Sequence, residues 1–195
     1  MDNVKKVLIV VDMQNDFLTG ALKNDKGVEI IPKVVDKIND YMKNDDYIIL
    51  TQDTHASENY LYSEEGKHLP VEHCVYNSEG WQLCDPIKEI FEEYHDKEGN
   101  VTRMISVIKS TFGCASLGMT FSDIGLTYRA AEEAVIELVG VCTDICVIAN
   151  AIVAKTFLPN AHIVVDASCC AGTSEENHKT ALEAMKNLQI EITNE

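Results

Sequence analysis

Three residues have the side chains and settings needed for nucleophilic chemistry: Cys146, Asp12 and Lys109. Cys146 falls in the stretch AVIELVGVCTDICVIANA, residues 134–151. Its first part, 134–139, is a near-continuous apolar run that suits a strand buried on both faces. Gly140 breaks the run, the Thr143 hydroxyl is a candidate N-cap, and Asp144 places negative charge in a first helical turn. Residues 145–156 contain neither Gly nor Pro and are long enough for a helix. Cys146 is therefore expected in the first turn of a helix that leaves a buried strand. Backbone N–H groups and the helix dipole favour a thiolate there. The ordinary alternative is a small buried hydrophobe in a core helix.

Asp12 closes an apolar run at 7–11, and Lys109 closes one at 102–108. Separately they read as a turn aspartate and a solvated lysine. Together with Cys146 they make chemical sense. An ammonium lowers the pKa of a nearby thiol, and a carboxylate can shuttle protons between nucleophile and leaving group. No G-x-S-x-G elbow offers a serine instead.

A second group is Asp53-Thr54-His55 with His73 further on. Residues two apart on an extended segment point the same way, so Asp53 and His55 can act together. Imidazole with carboxylate suits a borderline divalent ion such as zinc, manganese or iron. Glu64, Glu65 and His68 lie between the histidines and could complete such a site. Many D-x-H pairs are simply surface-loop residues. Cys142 and Cys146 lack the C-x-x-C spacing of a redox or metal pair.

These residues need a scaffold, and the remaining pattern supplies one. Apolar runs at 7–11, 47–50, 102–108, 134–139 and 161–167 read as strands. Helical periodicity starts at Pro32, with Val34, Val35, Ile38 and Met42 on one face. It recurs at 86–94, with Ile87, Ile90 and Phe91 inward, and at 174–188 behind Thr173 or Ser174 as cap. Alternating strands and helices predict an α/β fold, an open parallel β-sheet of five or six strands with helices on both faces. In such sheets ligands sit at the carboxyl ends of the strands, where Asp12, Asp53, Lys109 and Cys146 all fall. Residues 1–195 are expected to form a single domain, with a long functional loop at about 54–85.

The formal net charge of -16 argues against nucleic acid or an anionic membrane as a partner. No apolar run approaches a membrane span, and the first run ends too early, at Asp12, for a signal peptide. Seven cysteines, an odd number without framework spacing, are natural in a reduced cytoplasmic protein.

The sequence resembles the isochorismatase-like cysteine hydrolase superfamily, and within it the nicotinamidases. The resemblance rests on VLIVVDMQNDF at 7–17, TQDTH at 51–55, LPVEHCV at 69–75, Lys109 followed by STF, and GVCTDICV at 140–147. It implies a catalytic triad of Asp12, Lys109 and Cys146. It implies a cis peptide between Val141 and Cys142, and an oxyanion hole formed by the backbone N–H groups of Cys142 and Cys146. It implies one divalent metal ion, zinc before iron or manganese, on Asp53, His55, Glu65 and His73. Glu65 is chosen over Glu64 by its distance before Pro70. Phe17 matches a pocket aromatic of the family, whereas Leu69 stands where nicotinamidases place an aromatic residue. The implied activity is hydrolysis of nicotinamide through a Cys thioester, with a small-molecule amide as partner and a second copy of the chain as a candidate one. Two other readings remain: a related hydrolase acting on a ureido or aliphatic amide, and a non-catalytic metal- or thiol-binding protein of this fold.

Overall fold

In the computed structural model, which describes residues 5–96, 103–127 and 131–195, the apolar runs become strands of one sheet. The elements are β1 (Lys6–Val11), α1 (Asn15–Leu18), α2 (Asp25–Lys43), β2 (Tyr47–Asp53), α3 (Ser57–Tyr60), α4 (Glu64–His68) and α5 (Asp85–Asp96). They continue with β3 (Met104–Lys109), α6 (Leu117–Asp123) and β4 (Val135–Val141). A π-helical turn (Thr143–Val147) then leads into α7 (Ile148–Phe157), β5 (His162–Ala171), α8 (Glu175–Asn187) and β6 (Glu191–Thr193). All six strands are parallel, in the order β3-β2-β1-β4-β5-β6. The expected α/β sheet is therefore present with six strands.

Alternation along β1 divides the core in two. Val7, Ile9 and Val11 point to a cluster with Leu117 and Phe121 of α6, Ala151 of α7 and Met185 of α8. Leu8 and Val10 point to the opposite cluster with Val34 and Ile38 of α2 and Ile87 of α5. Both faces of the sheet are thus buried, which is why its central strands read as unbroken apolar runs.

Several boundaries differ from the sequence reading, each for a local reason. The helix expected from Pro32 begins seven residues earlier, at Asp25, where the Asn24 side chain accepts from the Gly27 N–H at 3.1 Å. Pro32 lies inside this helix on its exposed side, and the apolar face from Ile30 to Tyr41 holds the helix across it. β2 runs on through Thr51, Gln52 and Asp53, all buried, because neighbouring strands satisfy their polar groups. β5 continues to Ala171 past a register shift against β4, where the Asp166 carboxylate accepts from the N–H and hydroxyl of Ser168. β6 is too short for periodicity to reveal. Thr102, which opened the run expected at 102–108, lies outside the described residues. Of the two candidate caps for α8, Ser174 is the one used, accepting from the Asn177 N–H.

The long segment after β2 has structure of its own. It carries α3 and α4 and then returns alongside its start, where His55 bridges Val75. The His55 N–H donates to Cys74 O and the Tyr76 N–H to His55 O, each at 2.9 Å. The Cys74 N–H donates to Asp16 Oδ2 at 2.7 Å, tying the returning strand to α1.

β1 and the end of β4 approach closely at Gly140. Gly140 pairs with Val11 and has φ of 117°, and a Cβ placed there would lie 2.2 Å from Val11 O. Only glycine lets the two strands approach so closely. Gly140→Ala should therefore lower the unfolding free energy by more than about 2 kcal/mol, read as a reduced urea midpoint. An unchanged midpoint would show that the backbone there yields without cost.

Candidate active site

The switch in strand order lies between β1 and β4, and the ends of β1 to β4 converge beneath one cavity of about 1240 Å³. Register alone brings two key groups together: Asp53 and Lys109 are direct neighbours across β2 and β3. Val11 lies beside Thr51, so Asp12, one residue later, reaches the same point.

Asp12 leaves β1 with φ of 50° and is fully buried. Its N–H faces Thr51 Oγ1 at 3.2 Å, and the Thr51 hydroxyl donates back to Asp12 Oδ1 at 2.6 Å. The other carboxylate oxygen, Oδ2, lies 2.7 Å from Lys109 Nζ. That contact is a fully buried ion pair. Lys109 Nζ also reaches Asp53 Oδ1 at 3.3 Å and Cys146 Sγ at 3.5 Å. The structure thus gathers Asp12, Lys109 and Cys146 around one ammonium.

The electrostatics correct one expectation. Burial drives the Cys146 thiol well above its ordinary range, and the Asp12 charge and contact add to this, while Lys109 only partly opposes them. Burial therefore favours the protonated thiol, against the thiolate expected from the helix dipole. Burial also raises Asp12 against the opposing pull of Lys109. Burial works against the charge on Lys109, yet Asp12, Cys146 and Asp53 together hold it above the usual lysine value.

The turn carrying Cys146 also differs from expectation. It is π-helical before α7 begins, and Cys142, not Thr143, occupies the N-cap position. Thr143 Oγ1 instead meets His178 Nδ1 at 2.8 Å, and Asp144 accepts from the Thr173 N–H at 2.8 Å. Those bonds fasten the turn to α8 and its preceding loop. The Val141–Cys142 peptide is cis. Asn150, buried, donates to Cys146 O at 2.8 Å and to Phe112 O at 3.2 Å, linking the turn that carries Cys146 to the loop after Lys109.

Beside this group, Asp53, His55, Glu65 and His73 bring one ligand atom each to within 4.8 Å of one another. His55 Nε2 and His73 Nε2 face Asp53 Oδ2 at 3.0 and 3.5 Å and Glu65 Oε1 at 3.8 and 3.5 Å. His73 Nδ1 donates to Val71 O at 2.9 Å, which leaves Nε2 as the nitrogen facing the carboxylates. Two imidazoles with two carboxylates fit a divalent first-row ion. Glu64 points elsewhere, to Lys67, with its side chain 81% exposed. Asp53 is shared, since Oδ2 faces the imidazoles while Oδ1 faces Lys109. Burial would raise its pKa, but hydrogen bonds from His55 and His73 and the Lys109 charge hold it well below the carboxylate range. Phe17 meets His73 edge-on at 5.5 Å and, with Leu69, lines the cavity.

Four contributors escaped the sequence reading: Thr51, Gln14, Tyr60 and Asn150. Gln14 pairs with both backbone groups of Asp53, accepting from its N–H at 2.7 Å and donating to its carbonyl at 2.9 Å. Tyr60 packs edge-on against both histidines and donates its hydroxyl to Leu69 O. Thr51 and Gln14 stood inside the quoted motifs, yet nothing local distinguishes a positioning polar residue from a solvated one. Tyr60 and Asn150 carried no signal.

Residues 6–195 match the isochorismatase domain. The chain is 30% identical over 187 residues to PncA of Bacillus subtilis, an uncharacterised isochorismatase family protein, covering 94% of this chain and 96% of that one. It is also 30% identical to the nicotinamidase of Saccharomyces cerevisiae, covering 75% of this chain and 80% of the relative. Among solved structures, the zinc complex of Pyrococcus horikoshii pyrazinamidase superposes with a TM-score of 0.75 at 27% identity, over 98% of this chain and 99% of that one. With the domain match spanning nearly all of its length, the chain belongs to the isochorismatase family.

Proposed function

We propose that this protein hydrolyses a small primary carboxamide, nicotinamide first, to the acid and ammonia. The observation that carries the reading is the Lys109 ammonium in contact with both Asp12 and Cys146 on the floor of the cavity. A nicotinamidase and a pyrazinamidase among the relatives support the same choice of chemistry.

In this reading Asp12 Oδ2 takes the thiol proton as Cys146 Sγ attacks the amide carbon. Burial favours the protonated thiol, so in this reading the proton leaves as sulfur attacks. Lys109 then offsets the combined charge as it shifts from Asp12 to sulfur. Thr51 holds the other carboxylate oxygen and so keeps Oδ2 aimed at sulfur. The backbone N–H groups of Cys142 and Cys146 stabilise the tetrahedral oxyanion. Asp12 returns its proton to the nitrogen, the C–N bond breaks, and ammonia leaves a thioester. Asp12 next takes a proton from water, which attacks the thioester and releases the acid and the thiol.

Asp53, His55, Glu65 and His73 would hold one divalent ion, with zinc the first choice on this donor set and on the zinc complex of the Pyrococcus relative. When bound, that ion supplies a Lewis-acid contact for a ring nitrogen and so helps orient the amide. Phe17 and Leu69 both line the cavity.

Leu69, where nicotinamidases are expected to carry an aromatic residue, keeps one rival reading open: an amidase for another small amide. A panel of ureido and aliphatic amides alongside nicotinamide separates the two by kcat/KM.

Cys146→Ala should cut ammonia release from nicotinamide at least about 1000-fold with the fold intact by circular dichroism. Undiminished turnover would overturn the mechanism and favour a non-catalytic protein of this fold. His73→Ala should lose bound zinc, read by metal analysis, and raise KM, while Cys146 remains open to alkylation. Iodoacetamide should label Cys146 slowly at neutral pH, with a rate still climbing above about pH 8.5. A rate already at its plateau near neutrality would mean a resting thiolate instead.

A further inference from the structure

The cavity is far larger than a single-ring carboxamide requires, and its chemistry changes with depth. At the floor stand Cys146 and the imidazole–carboxylate cluster. Above them Leu22, Leu69, Phe112 and Ile145 form an apolar collar. At about 1240 Å³ the space exceeds the roughly 300–1,000 Å³ typical of sites that enclose drug-sized ligands.

Two members of the collar are large apolar side chains left partly in the open, Leu69 at 36% and Phe112 at 49% exposure. Their backbones are held by buried partners. The Tyr60 hydroxyl donates to Leu69 O at 2.8 Å, and the Leu69 N–H donates to Glu65 O at 2.8 Å. Phe112 O accepts from Asn150, which is fully buried. The two groups are therefore presented by fixed supports on different elements, one after α4 and one after β3. A preorganised apolar wall of this kind gains most from an apolar ligand.

The rim charges disfavour an ionic extension. Lys23 pairs with Asp25 at 2.8 Å and Lys26 with Glu29 at 2.7 Å. A ligand anion at either lysine would therefore have to compete with a neighbouring carboxylate.

Resting on the amidase reading above, we infer that the outer half of this cavity is a subsite for an uncharged apolar substituent on the carboxamide ring. The preferred substrate class is then an alkyl-substituted aromatic carboxamide rather than the bare ring, and Leu69 and Phe112 set that preference.

The test uses nicotinamides alkylated at ring carbons remote from the amide, from methyl to butyl, with a carboxyalkyl analogue of matched length. kcat/KM is measured on the zinc-loaded enzyme, and dissociation constants on zinc-loaded Cys146→Ala. Each added methylene should tighten binding by about fourfold until the collar is filled. The carboxyalkyl analogue should gain nothing. Leu69→Trp, which occupies the collar, and Phe112→Ala, which removes one wall, should both flatten the series. Nicotinamide turnover with no gain along the alkyl series would overturn the subsite and leave the amidase reading intact. A gain that persists unchanged in both variants would overturn the assignment of Leu69 and Phe112. Tighter binding along the series without Cys146-dependent ammonia release from any member would leave the subsite standing and sink the amidase reading.

Discussion

The structure depends on one buried cation. Lys109 lies between Asp12, Asp53 and Cys146 with almost no exposure to water. An ammonium so placed costs several kcal/mol unless its partners are close and fixed. Each partner is fixed by a different strand, so the ion pair also cross-links the ends of β1, β2, β3 and the turn after β4. Two carboxylates share this single ammonium. A divalent ion on the adjacent imidazoles would add positive charge beside them, and Asp53 is the carboxylate through which the two groups would sense one another.

That arrangement follows from strand order. Because the chain crosses from β3 back to β4 on the far side of β1, the carboxyl ends of four strands open onto a common crevice. Short, rigid positions at strand ends then do what long flexible side chains could not. Asp53 and Lys109 are register partners, and Gly140 lets β4 lie close against β1 just before the turn that carries Cys146. Polar residues just behind, Thr51 and Gln14, spend their hydrogen bonds on orienting the carboxylate and backbone in front of them. The second wall of the cavity comes from the long segment after β2, which is ordered by backbone pairing of His55 with Val75 and by the Asp16 carboxylate.

Much of this was legible in the residues themselves. Periodicity and composition are local, so the alternation of strands and helices could be read directly, as could the strand-end positions of Asp12, Lys109 and the Asp53–His55 pair. The odd, unspaced cysteines likewise pointed to thiols, and all seven are free. Pairing, facing and burial were decided only by the tertiary structure, because each depends on residues distant in sequence. Register made Asp53 and Lys109 neighbours across a separation of 56 residues. The orientation of α4 turned Glu65 toward the histidines and Glu64 toward solvent. Burial of Cys146 beside one core cluster pushes its thiol up, with loss of water outweighing the opposing Lys109 charge. Residue type determined which groups could react; the desolvation and distances that set how they react exist only once the sheet has brought its strand ends together.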